Sequence, residues 1–240
     1  MEAGEARMEL KAGIPGTVVE VIPNRGVVIQ TAGSLIQGVW GNGRIDMGSL
    51  VNLAEKPDGI LTPGRLDVSL RGSVILGGMI QDAETLVTAA ELPVRGLILS
   101  SIYPSLLQKA REMRYPIIVT DGFGTMPMNS VAYKLLSTNA KREMVVNAET
   151  FDRYSGSKPE VIIPLPISSD PPAPRDAEEF APGLQVRMRR PPAMGMIGTI
   201  TAVKPGLTVL PSGLRAPAAE VKLENDQIVI APLVNLEVVG

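Results

Sequence analysis

The sequence predicts a multidomain protein of mixed β and α/β class. It consists of a small N-terminal β-barrel or sandwich, a central α/β domain on a parallel sheet, and a small C-terminal β-barrel. Three observations lead to this prediction. Glycine-punctuated β-rich runs fill the first quarter of the 240 residues, apolar runs alternate with segments of helical period in the middle, and β-rich runs return after a proline-rich stretch. A chain of this length suits two or three compact units.

Composition excludes several kinds of chemistry. The chain has neither cysteine nor histidine, so thiolate nucleophiles, disulfides, Ser-His-Asp catalysis and histidine metal sites are impossible. Aromatic residues make up only 3% of the chain, which disfavours single-stranded nucleic acid as the main ligand because bases need stacking partners. The net charge of −2 gives no overall attraction to DNA or to an anionic membrane.

Residues 11–65 are predicted to form the first unit. Two β-rich runs flank a turn at residues 23–26 and predict a hairpin, and the glycines after it suggest the corners of a small barrel. Residues 13–55 resemble the barrel-sandwich hybrid fold of biotinyl and lipoyl carriers. The hairpin tips at 23–26 and 40–43 hold no lysine, so the resemblance implies the fold without the swinging arm. The glycines that suggest barrel corners are Gly33, Gly38, Gly41, Gly43 and Gly48. Residues 55–65 are interpreted as the connection to the second unit.

Residues 66–163 are predicted to form the central α/β domain. Apolar runs at 73–76, 96–99 and 116–119 each lead into a segment of helical period. The predicted helices cover residues 80–92, 104–113 and about 128–136, and further strands are expected at 142–147 and 161–163.

A ligand site is predicted where the parallel strands end. Right-handed crossovers bring the carboxyl ends of such strands to one rim, where open α/β sheets bind ligands. Glycine N–H groups there could face an anion, and Asp121 could hold a cation or a ribose hydroxyl. Alternatively, the loop at residues 120–125 is an ordinary strand-to-helix turn in which Asp121 caps neighbouring N–H groups. The predicted ligand-binding residues are Gly77, Gly78, Ser100, Ser101, Thr120, Asp121, Gly122, Gly124 and Thr125.

The central segment is similar to the DRTGG domain, an α/β module of regulatory proteins and phosphotransacetylase-type enzymes. The similarity lies in the runs at 74–78, 95–100 and 116–120. The Asp-Arg-Thr-Gly-Gly signature that names the family is missing from this sequence, so no ligand is carried over from it.

Residues 164–182 hold six prolines and are predicted to be an extended linker. The β-rich runs of residues 183–240 resemble the KOW group of SH3-like barrels, through the strand at 186–188, the turn at 195–198 and the closing strand at 235–237. This resemblance implies contact with RNA phosphates or with a protein partner through Arg187, Arg189, Arg190 and Lys204. The alternative is a charged strand edge that prevents aggregation.

The sequence therefore predicts a non-catalytic binding, scaffold or regulatory protein with a protein partner, whose central domain binds a small anionic ligand. One alternative is an enzyme acting on a phosphorylated or carboxylated substrate through Asp121, with Thr120, Thr125 and Ser100 as polar partners. Another is an RNA-associated factor. No cofactor is identified and no metal site is predicted. The charged N-terminus and the absence of any run of ~18 apolar residues predict a cytoplasmic protein without a membrane span.

Overall fold

The computed structural model describes residues 12–152, 154, 156–165 and 179–239. Its strands are β1 (Thr17–Ile22), β2 (Gly26–Gln30), β3 (Gly33–Gln37), β4 (Trp40–Gly41), β5 (Ile45–Asn52), β6 (Ser73–Ile80), β7 (Gly96–Ile102), β8 (Ile117–Phe123), β9 (Glu143–Asn147), β10 (Glu160–Pro164), β11 (Gln185–Met188), β12 (Ile197–Val203), β13 (Thr208–Val209), β14 (Arg215–Ala216), β15 (Ala218–Leu223), β16 (Ile228–Pro232) and β17 (Leu236–Val238). Its helices are α1 (Ala83–Glu91), α2 (Leu107–Glu112) and α3 (Ser130–Thr138), with 3-10 turns at Pro63–Arg65, Val68–Leu70, Pro104–Leu106 and Leu233–Asn235.

Eight strands of the described chain form one mixed sheet, in the order β3-β10-β9-β5-β6-β7-β8-β4. Its centre is parallel, because β5 pairs with β6, β6 with β7, and β7 with β8 in the same direction. The outer strands β3, β10, β9 and β4 pair antiparallel. The three parallel strands that the sequence predicted are therefore confirmed, and β5 adds a fourth.

Helices cover both faces of the parallel centre. On one face α1 and α2 bury Leu86 and Ala110 against strand residues such as Leu97. On the other face α3 packs Leu136 against residues such as Ile98. Neighbouring residues of a strand point to opposite faces, so the runs 74–76, 97–99 and 117–119 are apolar at every position.

Capping side chains set the starts of two helices close to their predicted positions. The Asp82 carboxylate accepts the Thr85 N–H at 2.8 Å before α1. The Asn129 side-chain oxygen accepts the Ala132 N–H at 2.9 Å before α3. These bonds satisfy amide groups that have no partner within the helix.

The strands predicted to complete a separate N-terminal barrel do not do so, because β3, β4 and β5 belong to the eight-stranded sheet. Only the hairpin of β1 and β2 stands apart, and it is confirmed, with Asn24 of its turn at φ 60°. β3 pairs with β10 and β5 pairs with β6 and β9, so position 65 does not separate two sheets. The segment predicted as a connection packs on β6 through the buried Leu61.

Close approach between strands explains two glycines that suggested barrel corners. A Cβ at Gly33 would collide with the Ile163 carbonyl, and one at Gly41 with the Ala148 backbone. Glycine marks such approaches as well as turns, and the two uses look alike in a sequence.

The C-terminal strands form a separate antiparallel sheet in the order β16-β15-β12-β11-β17. Its core contains Val186, Ile200, Val221 and Leu223. The last strand, β17, returns to pair with the first, β11. The segment between β12 and β15 carries the small hairpin of β13 and β14. The strands predicted here are observed, and the KOW resemblance stays a prediction.

Most of the predicted linker lies outside the described residues, which resume at residue 179. No helix in the part of the chain that the structure describes is long and apolar enough to cross a membrane.

Candidate functional site

The predicted rim lies where β6, β7 and β8 end, and all three strands run further than the sequence suggested. Register irregularities interrupt both parallel pairings near these ends. Ser101 of β7 pairs with Met79 of β6 on one side and with Gly122 of β8 on the other. The sheet therefore brings Ser101 and Gly122 together, within strands rather than in turns.

Gly77 and Gly78 lie inside β6 and not beyond its end, where the predicted ligand site was expected. The chain at residues 59–61 runs over them, with the Met79 N–H donating to the Gly59 carbonyl and the Leu61 N–H donating to the Met79 carbonyl, both at 2.8 Å. A Cβ at Gly78 would collide with the Gly59 carbonyl. These glycines allow close packing of the protein's own backbone.

The loop after β8 is fixed by Ser101. Its Oγ lies 3.0 Å from the Gly124 carbonyl and 2.9 Å from the Met126 carbonyl, and it accepts the Met126 N–H at 3.0 Å. Neither predicted glycine offers a loop N–H to an anion as expected, since Gly122 lies in β8 and the Gly124 N–H donates to the Ile102 carbonyl at 3.0 Å. Thr125 is exposed in this loop.

Asp121 is the centre of the polar network at this rim. Its Oδ2 accepts the Thr120 hydroxyl at 2.6 Å. Its Oδ1 accepts the Asn129 backbone N–H at 3.1 Å, the Asn129 side-chain amide at 3.0 Å and the Arg187 guanidinium at 3.0 Å. The alternative in which Asp121 caps a neighbouring N–H group describes this geometry. The carboxylate thus occupies the position beside the start of α3 where an external anion was expected.

Arg187 joins the two sheets. Its guanidinium, on β11, donates to Asp121 and to the Thr120 carbonyl at 3.2 Å, and through Nε and a terminal nitrogen to Glu237 Oε2 at 3.0 and 2.8 Å. The Arg187 side chain is 11% exposed and that of Asp121 is 0% exposed. Burial disfavours the charged guanidinium, but the adjacent Glu237 and Asp121 carboxylates outweigh it and raise the pKa of Arg187 above its usual value.

Two members of this network, Asn129 and Glu237, were missed in the sequence. A signal for Glu237 existed, because antiparallel pairing of the first and last C-terminal strands sets it directly opposite Arg187. Asn129 could be found only as a helix-capping residue, and nothing in the sequence relates it to Asp121.

The four basic residues predicted to bind a macromolecule do not form one cluster in the structure. Lys204 lies beyond the far end of β12 from Arg187 and pairs with Glu220 at 2.7 Å. Arg187 belongs to the network just described. Arg189 and Arg190 are exposed, and neither forms an ion pair with another described residue. Two of the four predicted residues therefore keep an unneutralised charge at the surface.

A cleft of about 270 Å³ lies beside this network, between the end of β8 and the C-terminal sheet. Its apolar wall carries flexible and aromatic side chains, and Arg189 stands among its polar lining groups. Its lining includes Val39, Phe123, Met126, Met188, Met194 and Arg189, together with Asp121, Arg187 and Glu237, whose charges pair with one another. Methionine-lined surfaces adapt to apolar ligands of differing shape.

Among the described residues, no group of three or more acidic side chains is arranged to hold a metal ion. Comparisons of the chain with models of known families, with curated proteins and with solved structures gave no match. The function therefore has to be argued from the site itself.

Proposed function

We propose that this is a non-catalytic binding protein, which holds an acidic, apolar segment of a partner polypeptide in the cleft between the end of β8 and the C-terminal sheet. The observation that carries the proposal is that the polar groups at the rim differ in whether the protein itself already binds them. The Asp121 carboxylate is engaged by four donors within the protein, whereas the cleft that it helps to line also has an apolar wall and, in Arg189, a guanidinium that forms no ion pair with another described residue.

Each part of the cleft suits such a segment. Methionine and phenylalanine side chains present apolar surface to a large ligand side chain. Arg189 can donate two parallel hydrogen bonds to a carboxylate, as guanidinium groups commonly do. A positive charge at the rim also increases the rate of encounter with acidic partners.

The test is a titration followed by NMR of protein labelled with ¹³C at the methionine methyl groups. The probe is a set of N-acetylated dipeptides that join Leu or Met to Asp or Glu. We expect shifts at Met126, Met188 and Met194, with dissociation constants between about 10 µM and 1 mM for ligands of this size. Met113 and Met144, which lie in other parts of the core, serve as internal controls.

Two pairs of variants locate the binding. Arg189→Glu should weaken binding at least ~10-fold, whereas Arg190→Glu makes the same charge change one residue outside the cleft and should have little effect. Met194→Lys should also weaken it, in contrast to Val234→Lys at an exposed position elsewhere. Shifts spread over all methionines, or no shift at saturating peptide, would refute the proposal.

RNA binding is a second candidate, favoured by the adjacent guanidinium groups of Arg189 and Arg190, which form no ion pair within the described part of the chain. It predicts that Arg189→Glu and Arg190→Glu weaken binding of a single-stranded RNA oligonucleotide equally. It also predicts affinity that falls steeply as salt rises. Binding that is indifferent to salt, or sensitive to Arg189 alone, argues against it. The enzyme alternative gains no comparable support, because the Asp121 side chain is buried and engaged by four donors within the protein.

A further inference from the structure

The last residues of β8 have one side with which no described strand pairs. β4 pairs with β8 only at Ile118 and Val119. The chain before β4 turns away from β8, since the Gly38 N–H donates to the Pro159 carbonyl at 2.8 Å, just before β10. Residues 120–123 of β8 therefore extend past β4, over about 13 Å at 3.3 Å per residue. We call the side of these residues that faces away from β7 the free edge.

The pairing of β7 with β8 shows which backbone groups the free edge presents. Ile102 lies opposite Phe123, and the Gly124 N–H donates to the Ile102 carbonyl at 3.0 Å. This bond is the one expected when Ile102 directs its N–H and C=O to β8, and in a parallel pair the residue opposite then directs its own groups away. The Phe123 N–H and C=O therefore belong to the free edge. The Thr120 carbonyl is already bound, because it accepts the Arg187 guanidinium at 3.2 Å.

The free edge opens into the cleft beside the C-terminal sheet. Gly122 and Phe123 line this cleft, and Phe123 is 43% exposed. A strand edge with unpaired N–H and C=O groups is a template for any extended chain that reaches it. Met188, Met194 and Arg189 line the same cleft, so one ligand can contact main-chain and side-chain groups together.

We propose that the partner segment binds as an extended strand that adds to the free edge of β8. This inference rests on the proposed function and names the form of its ligand. The ligand donates an N–H to the Phe123 carbonyl and accepts the Phe123 N–H. These main-chain bonds supply affinity for any extended chain, whereas the methionines and Arg189 select apolar and acidic side chains. A helical ligand does not fit, because its N–H and C=O groups are bonded within the helix.

An N-methyl scan of a bound peptide tests the strand. The probe is the N-acetylated tetrapeptide amide Leu-Glu-Leu-Glu, with a methyl group placed on the backbone nitrogen of each residue in turn. Each methyl group removes one donor and keeps every side chain. Alternate N–H groups of a strand point to opposite sides, so losses of affinity of at least ~10-fold should fall only on residues of one parity. The other residues should lose less than ~3-fold.

Hydrogen exchange at Phe123 reports binding from the protein side. At saturating tetrapeptide, exchange of the Phe123 amide should slow at least ~10-fold. Thr125 is the control, because it is exposed in the loop after β8 and does not line the cleft, so its exchange should not change.

A proline variant removes the donor from the protein. Proline is tolerated in a strand where its nitrogen faces away from the neighbouring strand, so Phe123→Pro should fold, which circular dichroism checks. Its affinity should be at least ~3-fold below that of Phe123→Ala, which removes only the ring. The scan uses the wild-type protein, so it decides the question even if Phe123→Pro is unfolded.

The outcomes separate this inference from the proposed function. Methionine shifts in the cleft without protection of the Phe123 amide would overturn strand binding and leave the binding site in place. A scan in which no position matters, or in which neighbouring positions matter equally, would do the same. The absence of methionine shifts at saturating tetrapeptide would overturn both.

Discussion

At the scale of single residues, the rim shows how polar side chains placed for a ligand can be used within the protein. Thr120, Asp121 and Ser101 all have partners from the protein itself. Ser100 differs, because its hydroxyl is buried and finds no hydrogen-bond partner among the described residues. In an enzyme, such a hydroxyl could contact the substrate. If Ser100 is only structural, its hydroxyl should not be needed for stability.

Ser100→Ala separates these two roles. Removing a buried hydroxyl that has no partner relieves a desolvation cost of about 1–3 kcal/mol, and alanine leaves almost no cavity. We expect the free energy of unfolding in urea to be unchanged or to rise by up to about 1 kcal/mol. Ser101→Ala is the matched control and should lose about 1–2 kcal/mol, because its hydroxyl holds the loop after β8. Destabilisation by Ser100→Ala would indicate a polar contact for that hydroxyl.

At the scale of elements, the alternation of apolar runs and helical segments predicted the parallel strands and the three helices, because those signals are local. It failed at β3 and β5, whose partners β10 and β9 lie about 100 residues away in the chain. Glycines such as Gly41 and Gly78 look like turn residues in a sequence, although close backbone packing requires them here. The residue types at the rim were predicted, but the covering segment at residues 59–61 and the Arg187 bridge depend on contacts between distant parts of the chain.

The Tyr115 hydroxyl ties α1 to the strand that begins at Ile117, by donating to the Leu86 carbonyl at 2.8 Å. Burial raises the pKa of the Tyr115 phenol well above its usual value, because the anion would be poorly solvated. The folded state therefore favours the neutral phenol, and this contribution to stability is complete below about pH 10, the usual tyrosine value. Above that pH the unfolded chain loses the proton first, so the contribution falls as pH rises.

Comparison of the wild type with Tyr115→Phe isolates this effect, since the other tyrosines and the lysines are common to both proteins. At pH 8 the variant should be less stable by about 1 kcal/mol, the cost of one hydrogen bond. Between pH 10 and 11.5 the wild type should lose stability relative to the variant, by up to about 1.4 kcal/mol per pH unit. Urea unfolding at several pH values gives the difference. Parallel pH curves for the two proteins would show that the Tyr115 proton is not linked to folding.

At the scale of the whole molecule, Arg187 ties the C-terminal sheet to the eight-stranded sheet. Its contacts with Asp121 and Glu237 connect β8, β11 and β17, while Met126 approaches Gly195 beside the cleft. The proposed binding cleft lies between the two sheets, so its shape depends on the contacts of Arg187 with Asp121 and Glu237, which we call the joint. Binding and the stability of the joint are therefore expected to be coupled.

Arg187→Met tests the joint. Removing one partner leaves the Asp121 carboxylate buried without its countercharge, and the expected loss in the free energy of unfolding is about 3 kcal/mol. Arg189→Met is the control and should change stability by less than about 0.5 kcal/mol, because that side chain is exposed. Amide hydrogen exchange should accelerate in β11 and β17 but not in β6 and β7, since only the former rely on the joint.

A second substitution identifies the source of the loss. Adding Asp121→Asn to Arg187→Met removes the uncompensated carboxylate while keeping a hydrogen-bonding side chain of similar shape, so at least ~1 kcal/mol should be regained. If the losses from the two substitutions simply add, the buried charge is not the cause. In that case other contacts hold the two sheets together, such as the hydrogen bond from Ser130 to Glu224, and the methionine shifts in the cleft should survive Arg187→Met unchanged.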